Sequence, residues 1–143
     1  MSLFKWYKRY SVNNNDLDKH HKTLFDIVNR LYDTWSGHDK ANCLDSLIEE
    51  LVSYSNYHFT AEEQHMRNIG YKHIDKHIIE HRNFKQRTIQ LQQVAHKNKP
   101  NVTEELIEFL VHWLLHHVIV EDKKYSVHLN RRHQHGNLTR ISI

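Results

Sequence analysis

Four long segments of the chain repeat apolar residues at intervals of three and four, and short polar breaks separate them. This spacing places the apolar side chains on one face of an α-helix. The predicted helices span about residues 17–35, 41–66, 72–96 and 102–125. Because the connections are short, successive helices are expected to lie antiparallel. The pattern predicts an all-α fold, an up-down-up-down four-helix bundle.

The two ends of the chain lack the helical period. Residues 1–15 are expected to form a non-helical N-terminal arm, and Asp16 or Asp18 to cap the first helix. Residues 126–143 are polar and basic and predict a short irregular C-terminal tail. We expect one domain over the whole chain, with the bundle at about 16–125. Three aromatic side chains of the arm can lie across one end of the bundle: Trp6, Tyr7 and Tyr10.

Composition excludes several classes of protein. With only three glycines and one proline in 143 residues, the chain is too poor in turn residues for an all-β sandwich. The net charge of +3 is small and its only basic cluster is short (Arg131, Arg132, Arg140), so no nucleic-acid partner is expected. The single cysteine, Cys43, rules out an intramolecular disulfide framework.

Neither a membrane span nor a leader peptide is expected. No apolar run reaches the ~20 residues that cross a bilayer. The most apolar stretch, residues 109–120, is interrupted by His112, Trp113, His116 and His117. Residues 1–10 lack the apolar region of a signal peptide. These features favour a cytoplasmic protein with no membrane partner.

Histidine is the compositional outlier, with fifteen residues where ordinary usage gives about three. Several histidines, and one glutamate, occupy positions where the helical period calls for a core residue. Buried polar groups without partners cost several kcal/mol each, and the surrounding Leu, Ile, Val and Phe offer none. We therefore predict a buried site with two metal ions. Its candidate ligands are His21, His58, Glu62, His77, His81, His117 and Asp122.

Helical phase separates the inward histidines from their neighbours. His21 lies on the stripe of Leu17 and Leu24, whereas His20 does not. His117 points inward, whereas His116 shares a polar stripe with other outward residues. Solvent or the bundle edge is expected for His20, His65, His73, His112 and His116, and a surface position for His128, His133 and His135.

Asp122 is the one candidate that a regular helix would misplace. It follows His117 by five residues, which is a rotation of about 140° at 3.6 residues per turn. The two side chains would then face different directions. We predict a π-type bulge between them, which would bring Asp122 back toward the site.

The chemistry of the candidate ligands limits which metal ions the site is expected to bind. Imidazole with carboxylate suits iron, manganese or zinc, and the absence of thiolate argues against an iron–sulfur cluster. Ferritin-like di-iron bundles use two Glu-x-x-His motifs, but only Glu62 and His65 have that spacing here. The site is instead rich in histidine.

Four motifs in this order resemble those of hemerythrins. They are Asp18-Lys-His-His-Lys22, His58-Phe-x-x-Glu62, His77-x-x-x-His81, and Trp113-Leu-x-x-His117 followed by Asp122. The resemblance covers about residues 4–125, and the arm with Trp6 is similar to that of single-domain bacterial hemerythrins.

The resemblance implies a non-haem di-iron centre with an oxo or hydroxo bridge. In that family one iron has three histidines, here His77, His81 and His117, and the other has two, here His21 and His58. Glu62 and Asp122 would bridge the irons. The two-histidine iron would keep an open position for O2, in a pocket walled by Leu114 and Ile119.

The resulting interpretation is a protein that binds O2 reversibly, as a carrier, store or delivery protein, and is not an enzyme. Two alternatives use the same site. A di-iron redox enzyme that reduces peroxide or nitric oxide would need proton delivery, and no acidic relay is evident in the sequence. An O2 or redox sensor usually has a linked output domain, for which this chain is too short.

Overall fold

The computed structural model describes residues 3–37, 44–97 and 101–128. Within these ranges the chain is helical and contains no strand. Each helix contacts two others, α1 and α3 both packing against α2 and α4, which closes the ring of a four-helix bundle and confirms the predicted fold. The helices are α1 (Asn15–Ser36), α2 (Leu44–Asn68), α3 (Ile74–His96) and α4 (Val102–Trp113). Helix α4 continues as a π-helix, Leu114–Glu121, and then as α-helix over 122–128.

Helix α1 begins two residues earlier than predicted, because Asn14 caps it. The Asn14 side chain accepts hydrogen bonds from the backbone N–H groups of Asp16 and Leu17, both at 3.1 Å. This satisfies two of the free donors at the helix start. The prediction of a cap at Asp16 or Asp18 is therefore wrong. Asp18 instead accepts a 2.9 Å hydrogen bond from the backbone N–H of Val12 and so fixes the arm.

The N-terminal arm packs against the middle of α1, and not across one end of the bundle. Its backbone exchanges two hydrogen bonds with the Asn29 side chain, at Phe4 N–H (2.8 Å) and Phe4 C=O (2.9 Å). The Trp6 ring meets Phe25 edge to face at a centroid distance of 5.5 Å. One short 3-10 turn, Lys8–Tyr10, interrupts the extended chain.

The last helix extends three residues past its predicted end, since residues 126–128 are helical. Ser126 is buried, and its hydroxyl accepts a 2.8 Å hydrogen bond from the Asn13 amide of the arm. The arm thus explains why the helix continues. The predicted tail from residue 129 onward lies outside the described residues. Although this helix is the most apolar, no described helix is both long and apolar enough to cross a membrane.

Two apolar clusters lie on either side of the buried polar residues. Along every helix, the candidate ligands fall between a member of the larger cluster and a residue that belongs to the smaller one or packs against it. Each large side chain that is fully buried contributes roughly 1.5–3 kcal/mol, so both ends of the site are held by packing. Members of the larger cluster include Leu24, Phe59, Phe84 and Leu114, and members of the smaller one include Leu17, Met66, Tyr71 and Tyr125.

Candidate metal centre

All seven candidate ligands lie in the interior, and no residue among them is more than 3% exposed. Helix α1 provides one, α2 two, α3 two, and the last helix two. The helical phase had separated them correctly from their neighbours. The structure therefore brings together the full set: His21, His58, Glu62, His77, His81, His117 and Asp122.

Glu62 lies at the centre of the set, and its two oxygens face different histidines. Oε1 is 3.1 Å from Nε2 of His77 and 2.9 Å from Nε2 of His81. Oε2 is 3.3 Å from Nε2 of His21 and 3.1 Å from Nε2 of His58. One carboxylate thus divides the histidines into two groups.

Asp122 repeats this division from the opposite side. Its Oδ1 is 2.7 Å from Nε2 of His77 and 3.1 Å from Nε2 of His117. Its Oδ2 is 3.2 Å from Nε2 of His21. All five imidazoles therefore turn the same ring nitrogen, Nε2, toward the carboxylates.

Two sets of donor atoms result, each gathered within 4.8 Å. The first, here called the three-His half, contains His77, His81 and His117. The second, the two-His half, contains His21 and His58. Glu62 and Asp122 belong to both. Each half could hold one metal ion, with a carboxylate oxygen from both shared residues.

A π-helix brings Asp122 into this arrangement. The backbone N–H of Asp122 donates to the carbonyl of His117, five residues earlier, within the element Leu114–Glu121. The extra residue in the turn compensates for the rotation that a regular helix would impose. The predicted π-type bulge is confirmed, and Asp122 is fully buried.

Carboxylates outside the ligand set contact the outer nitrogens of two histidines, which the sequence did not reveal. Glu63 Oε2 lies 2.9 Å from Nδ1 of His81, and Glu80 Oε2 lies 2.7 Å from Nδ1 of His117. If Nε2 binds a metal, Nδ1 carries the proton and donates it to the carboxylate, which orients the ring. Helical phase alone puts Glu80 on the outward face of its helix. It lies at the edge of that face, next in sequence to His81, which is the only signal that could have marked it.

His20 occupies the bundle edge, one of the two places expected for it, but its contact with a candidate ligand was not predicted. It is half-buried, and its Nδ1 lies 3.1 Å from Nδ1 of His58. Since one of two facing nitrogens must carry the hydrogen, metal binding at His58 Nε2 would make His20 the acceptor. His20 then supports His58 as Glu80 supports His117, but without a negative charge.

The remaining histidines mostly follow the prediction. His73, His112 and His116 are exposed, as expected. His65 is half-buried, 3.4 Å from the Asn14 amide, and His128 is half-buried with Nε2 3.3 Å from the Ile69 carbonyl. His133 and His135 lie outside the described residues. Of the predicted pocket residues, Leu114 is fully buried and Ile119 half-buried.

The candidate ligands differ in how strongly the surrounding protein favours their charged forms. Burial opposes protonation of His21 and His77, but their hydrogen bonds to Asp122 and Glu62 outweigh it and raise both pKa values to about 9. The same balance raises the pKa of His117 well above its usual value. Burial lowers the pKa of His58, despite the attraction of Glu62. Burial opposes charge on Glu62 and Asp122 too, yet the histidines hold the pKa of both carboxyl groups well below the usual range.

The seven donor residues satisfy one another's hydrogen-bonding groups incompletely, and bound metal ions would satisfy them better. His21 Nδ1 is buried with no hydrogen-bond partner among the described residues, and buried Asp122 Oδ2 has only the 3.2 Å contact with His21 Nε2. Such groups cost about 1–3 kcal/mol each when unsatisfied. Metal ions in the two halves would bind Asp122 Oδ2 and replace the protons that the histidines otherwise hold. Five nitrogens and two carboxylates suit iron, manganese or zinc.

Known proteins with the same architecture agree with this geometry. The sequence model of the Hemerythrin HHE cation binding domain matches residues 12–128. Bacteriohemerythrin of Clostridium acetobutylicum is 27% identical over 86% of this chain and 98% of that protein. Bacteriohemerythrin of Methylococcus capsulatus is 30% identical, over 88% of this chain and 96% of that protein. A crystal structure of wild-type hemerythrin is 30% identical with a TM-score of 0.77, covering 89% of this chain and 98% of that one. With all seven candidate ligands inside the matched residues, the chain belongs to the hemerythrin family.

Proposed function

We propose that this protein binds O2 reversibly at a di-iron centre, as a cytoplasmic carrier, store or delivery protein. The three-His half would hold one iron and the two-His half the other, with Glu62, Asp122 and an oxo or hydroxo group between them. The observation that carries the proposal is the division of two buried carboxylates between unequal sets of histidines. A symmetric cage would give both metals the same surroundings.

The inequality indicates where an external ligand would bind. Counting the shared carboxylates, the three-His half offers five donor residues and the two-His half four. The two-His half therefore has more room for a ligand that the protein does not supply. The two irons, when both are bound, would together supply the two electrons that O2 requires for binding.

The residues around the centre favour keeping O2 intact. Leu114 and Ile119 are proposed to wall the O2 pocket and exclude water, and Leu114 is fully buried. The nearby hydroxyls of Tyr54 and Tyr125 are poor proton donors, because burial and the negative carboxylates raise their pKa values well above 10. A dry pocket with few available protons disfavours further reduction of bound O2.

A di-iron redox enzyme, reducing peroxide or nitric oxide, is the second candidate, and one observation favours it. His20 contacts His58 and is half-buried, so it links the two-His half to the bundle edge. Its pKa is lowered by burial and by His21. An imidazole in this position could hold or release a proton beside the two-His half.

An anaerobic optical titration separates these functions. Iron is counted first, and the fully reduced protein is then titrated with O2 and returned to vacuum. Reversible binding predicts about two irons per chain, a visible charge-transfer band that appears with O2, and its loss under vacuum. Rapid irreversible oxidation to a ferric form would favour the redox enzyme or a sensor. An iron content far from two would contradict the centre itself.

A further inference from the structure

Two exposed histidines on the last helix take no part in the buried centre. His112 and His116 are four residues apart, and their rings lie side by side with centroids 4.2 Å apart. Residues at this spacing occupy one face of a helix. Exposed histidines gain little from packing, so their pairing calls for a chemical explanation.

The pair borders a pocket of about 320 Å³ on the outer surface. The pocket is lined by two carboxylates, by the two exposed histidines, and by residues next to the buried centre: Glu80, Asn83, His112, Trp113, His116, His117, Val120 and Glu121. Its inner wall includes His117, whose Nδ1 contacts Glu80, and the Trp113 ring stacked on His117 at 3.9 Å. The His117 ring thus lies between the pocket and the rest of the three-His half.

The donors around this pocket suit a divalent transition metal. Two histidines at i and i+4 on a helix are a recognised chelating arrangement. Metal–nitrogen distances of about 2.0–2.1 Å place two ligand nitrogens roughly 3.3 Å apart, which side-by-side rings can reach by small side-chain rotations. Glu80 and Glu121 add negative charge to the same pocket, and Glu108 is exposed one turn before His112.

We propose that His112 and His116 form a second metal site, on the outer surface, for a divalent transition-metal ion. With two protein nitrogens and water completing its coordination, the site would bind late first-row ions most tightly and Fe²⁺ more weakly. Weak, exchangeable binding beside His117 suits a capture site for metal destined for the buried centre. That role rests on the proposed di-iron function, whereas the binding itself does not.

Nickel(II) tests the binding. Isothermal titration calorimetry with nickel(II) is done on the iron-loaded, full-length chain, in which His133→Ala and His135→Ala remove the tail histidines from every protein compared. The expected result is one nickel site, weakened at least about tenfold by His112→Ala or His116→Ala and abolished by the double variant. His73→Ala is the matched control, since His73 is an exposed histidine that does not line this pocket, and it should leave binding unchanged. Equal nickel affinity in the double variant and its parent would overturn the site.

Ferrous uptake tests the capture role. Metal-free protein is mixed anaerobically with Fe²⁺ below saturation, and both the initial rate and the final iron content are measured. The double variant should load severalfold more slowly and reach the same final content. An unchanged rate would overturn the capture role, and a lower final content would show that the pair supports the buried centre instead of forming a separate site. If the iron-loaded parent protein does not bind O2, the proposed function fails while the nickel titration still decides the outer site.

Discussion

The two halves of the buried centre share their carboxylates but differ in what surrounds their histidines. In the three-His half, carboxylates of Glu63 and Glu80 contact the outer nitrogens of His81 and His117. In the two-His half, the outer nitrogen of His58 meets only the imidazole of His20. The outer nitrogen of His21 has no hydrogen-bond partner among the residues that the structure describes.

This difference explains how one bundle can form two unequal sites from similar ligands. A carboxylate that accepts from a metal-binding histidine makes the ring more basic and holds its orientation, whereas a neutral acceptor does so more weakly. The three-His half should therefore bind its metal more tightly. The two-His half, with fewer ligands and weaker support, is the one left able to accept and release a small molecule.

The largest effect is expected from removing a group that both halves use. Glu62→Ala deletes one candidate oxygen ligand from each half and removes a carboxylate contact from four histidines. Iron content should fall from about two per chain to below one, measured after loading and gel filtration. Glu63→Ala is the matched control, because Glu63 contacts His81 from outside, and it should retain iron in both halves. Two tightly held irons in Glu62→Ala would break the shared-carboxylate model.

The next effect concerns the metal-free protein, in which protons take the place of metal. His21 and His77, one from each half, have pKa values raised to about 9. Because these values exceed the unfolded value of about 6.5, the stabilisation is complete below that pH and disappears as the pH rises through about 9. Each residue contributes on the order of 3 kcal/mol at most.

Denaturant unfolding between pH 6 and 9.5 measures this loss. The metal-free protein should become less stable over that window, while the iron-loaded protein changes little, because its ligands cannot take up protons. His77→Gln should flatten the pH dependence. His58→Gln should leave it steep, since burial lowers the pKa of His58 and no stabilisation is lost there at high pH. A metal-free protein equally stable at both ends of the window would contradict the charge distribution.

Much of this architecture could be predicted from the sequence, because both the fold and the ligand set depend on helical phase. The period of three and four residues defined the four helices, and the same phase separated His21 from His20 and His117 from His116. The five-residue spacing of His117 and Asp122, which a regular helix does not accommodate, predicted the π-bulge. In each case the information lies within one helix, and each apolar residue on the same face of that helix supports the same assignment.

The supporting residues could not be found in this way. Glu80 and His20 lie at the edges of their stripes, where phase alone does not distinguish a solvated side chain from one that touches the neighbouring helix. Their contacts span 37 and 38 residues and depend on how the helices are rotated against each other. The cap at Asn14 was missed for a related reason, since two aspartates close by were equally suitable in composition.

Weakening one of these supports tests the inequality of the halves directly. Glu80→Gln keeps the side chain's size but replaces the anionic acceptor of His117 with a neutral one, as His20 is for His58. Affinity for the metal in the three-His half should fall roughly 10–100-fold, the range found for such outer partners. Competition with a chelator measures it. Glu121→Gln is the matched control, because Glu121 lines the same outer pocket but pairs with Lys124 at 2.9 Å. An equal loss in both variants would mean that general charge, and not orientation of His117, holds the metal.

The smallest expected effect separates two buried tyrosines beside the centre. The Tyr125 hydroxyl donates a 3.2 Å hydrogen bond to Glu62 Oε2, whereas the Tyr54 hydroxyl, on a ring stacked against His58, has no partner within the described chain. Tyr125→Phe should destabilise the metal-free protein by about 1 kcal/mol. Tyr54→Phe removes an unsatisfied group and should be neutral or stabilising by a similar amount.

Each of these variants is the other's control, since both lose one buried hydroxyl and keep the ring. Denaturant unfolding of the metal-free proteins measures the difference in stability between the two variants. The same measurement with iron and O2 bound then compares the two halves. If Tyr54→Phe becomes destabilising only in the O2-bound protein, its hydroxyl finds a partner there, in the two-His half. If it is destabilising without metal as well, the Tyr54 hydroxyl is already satisfied. The two-His half would then be less open than its geometry indicates.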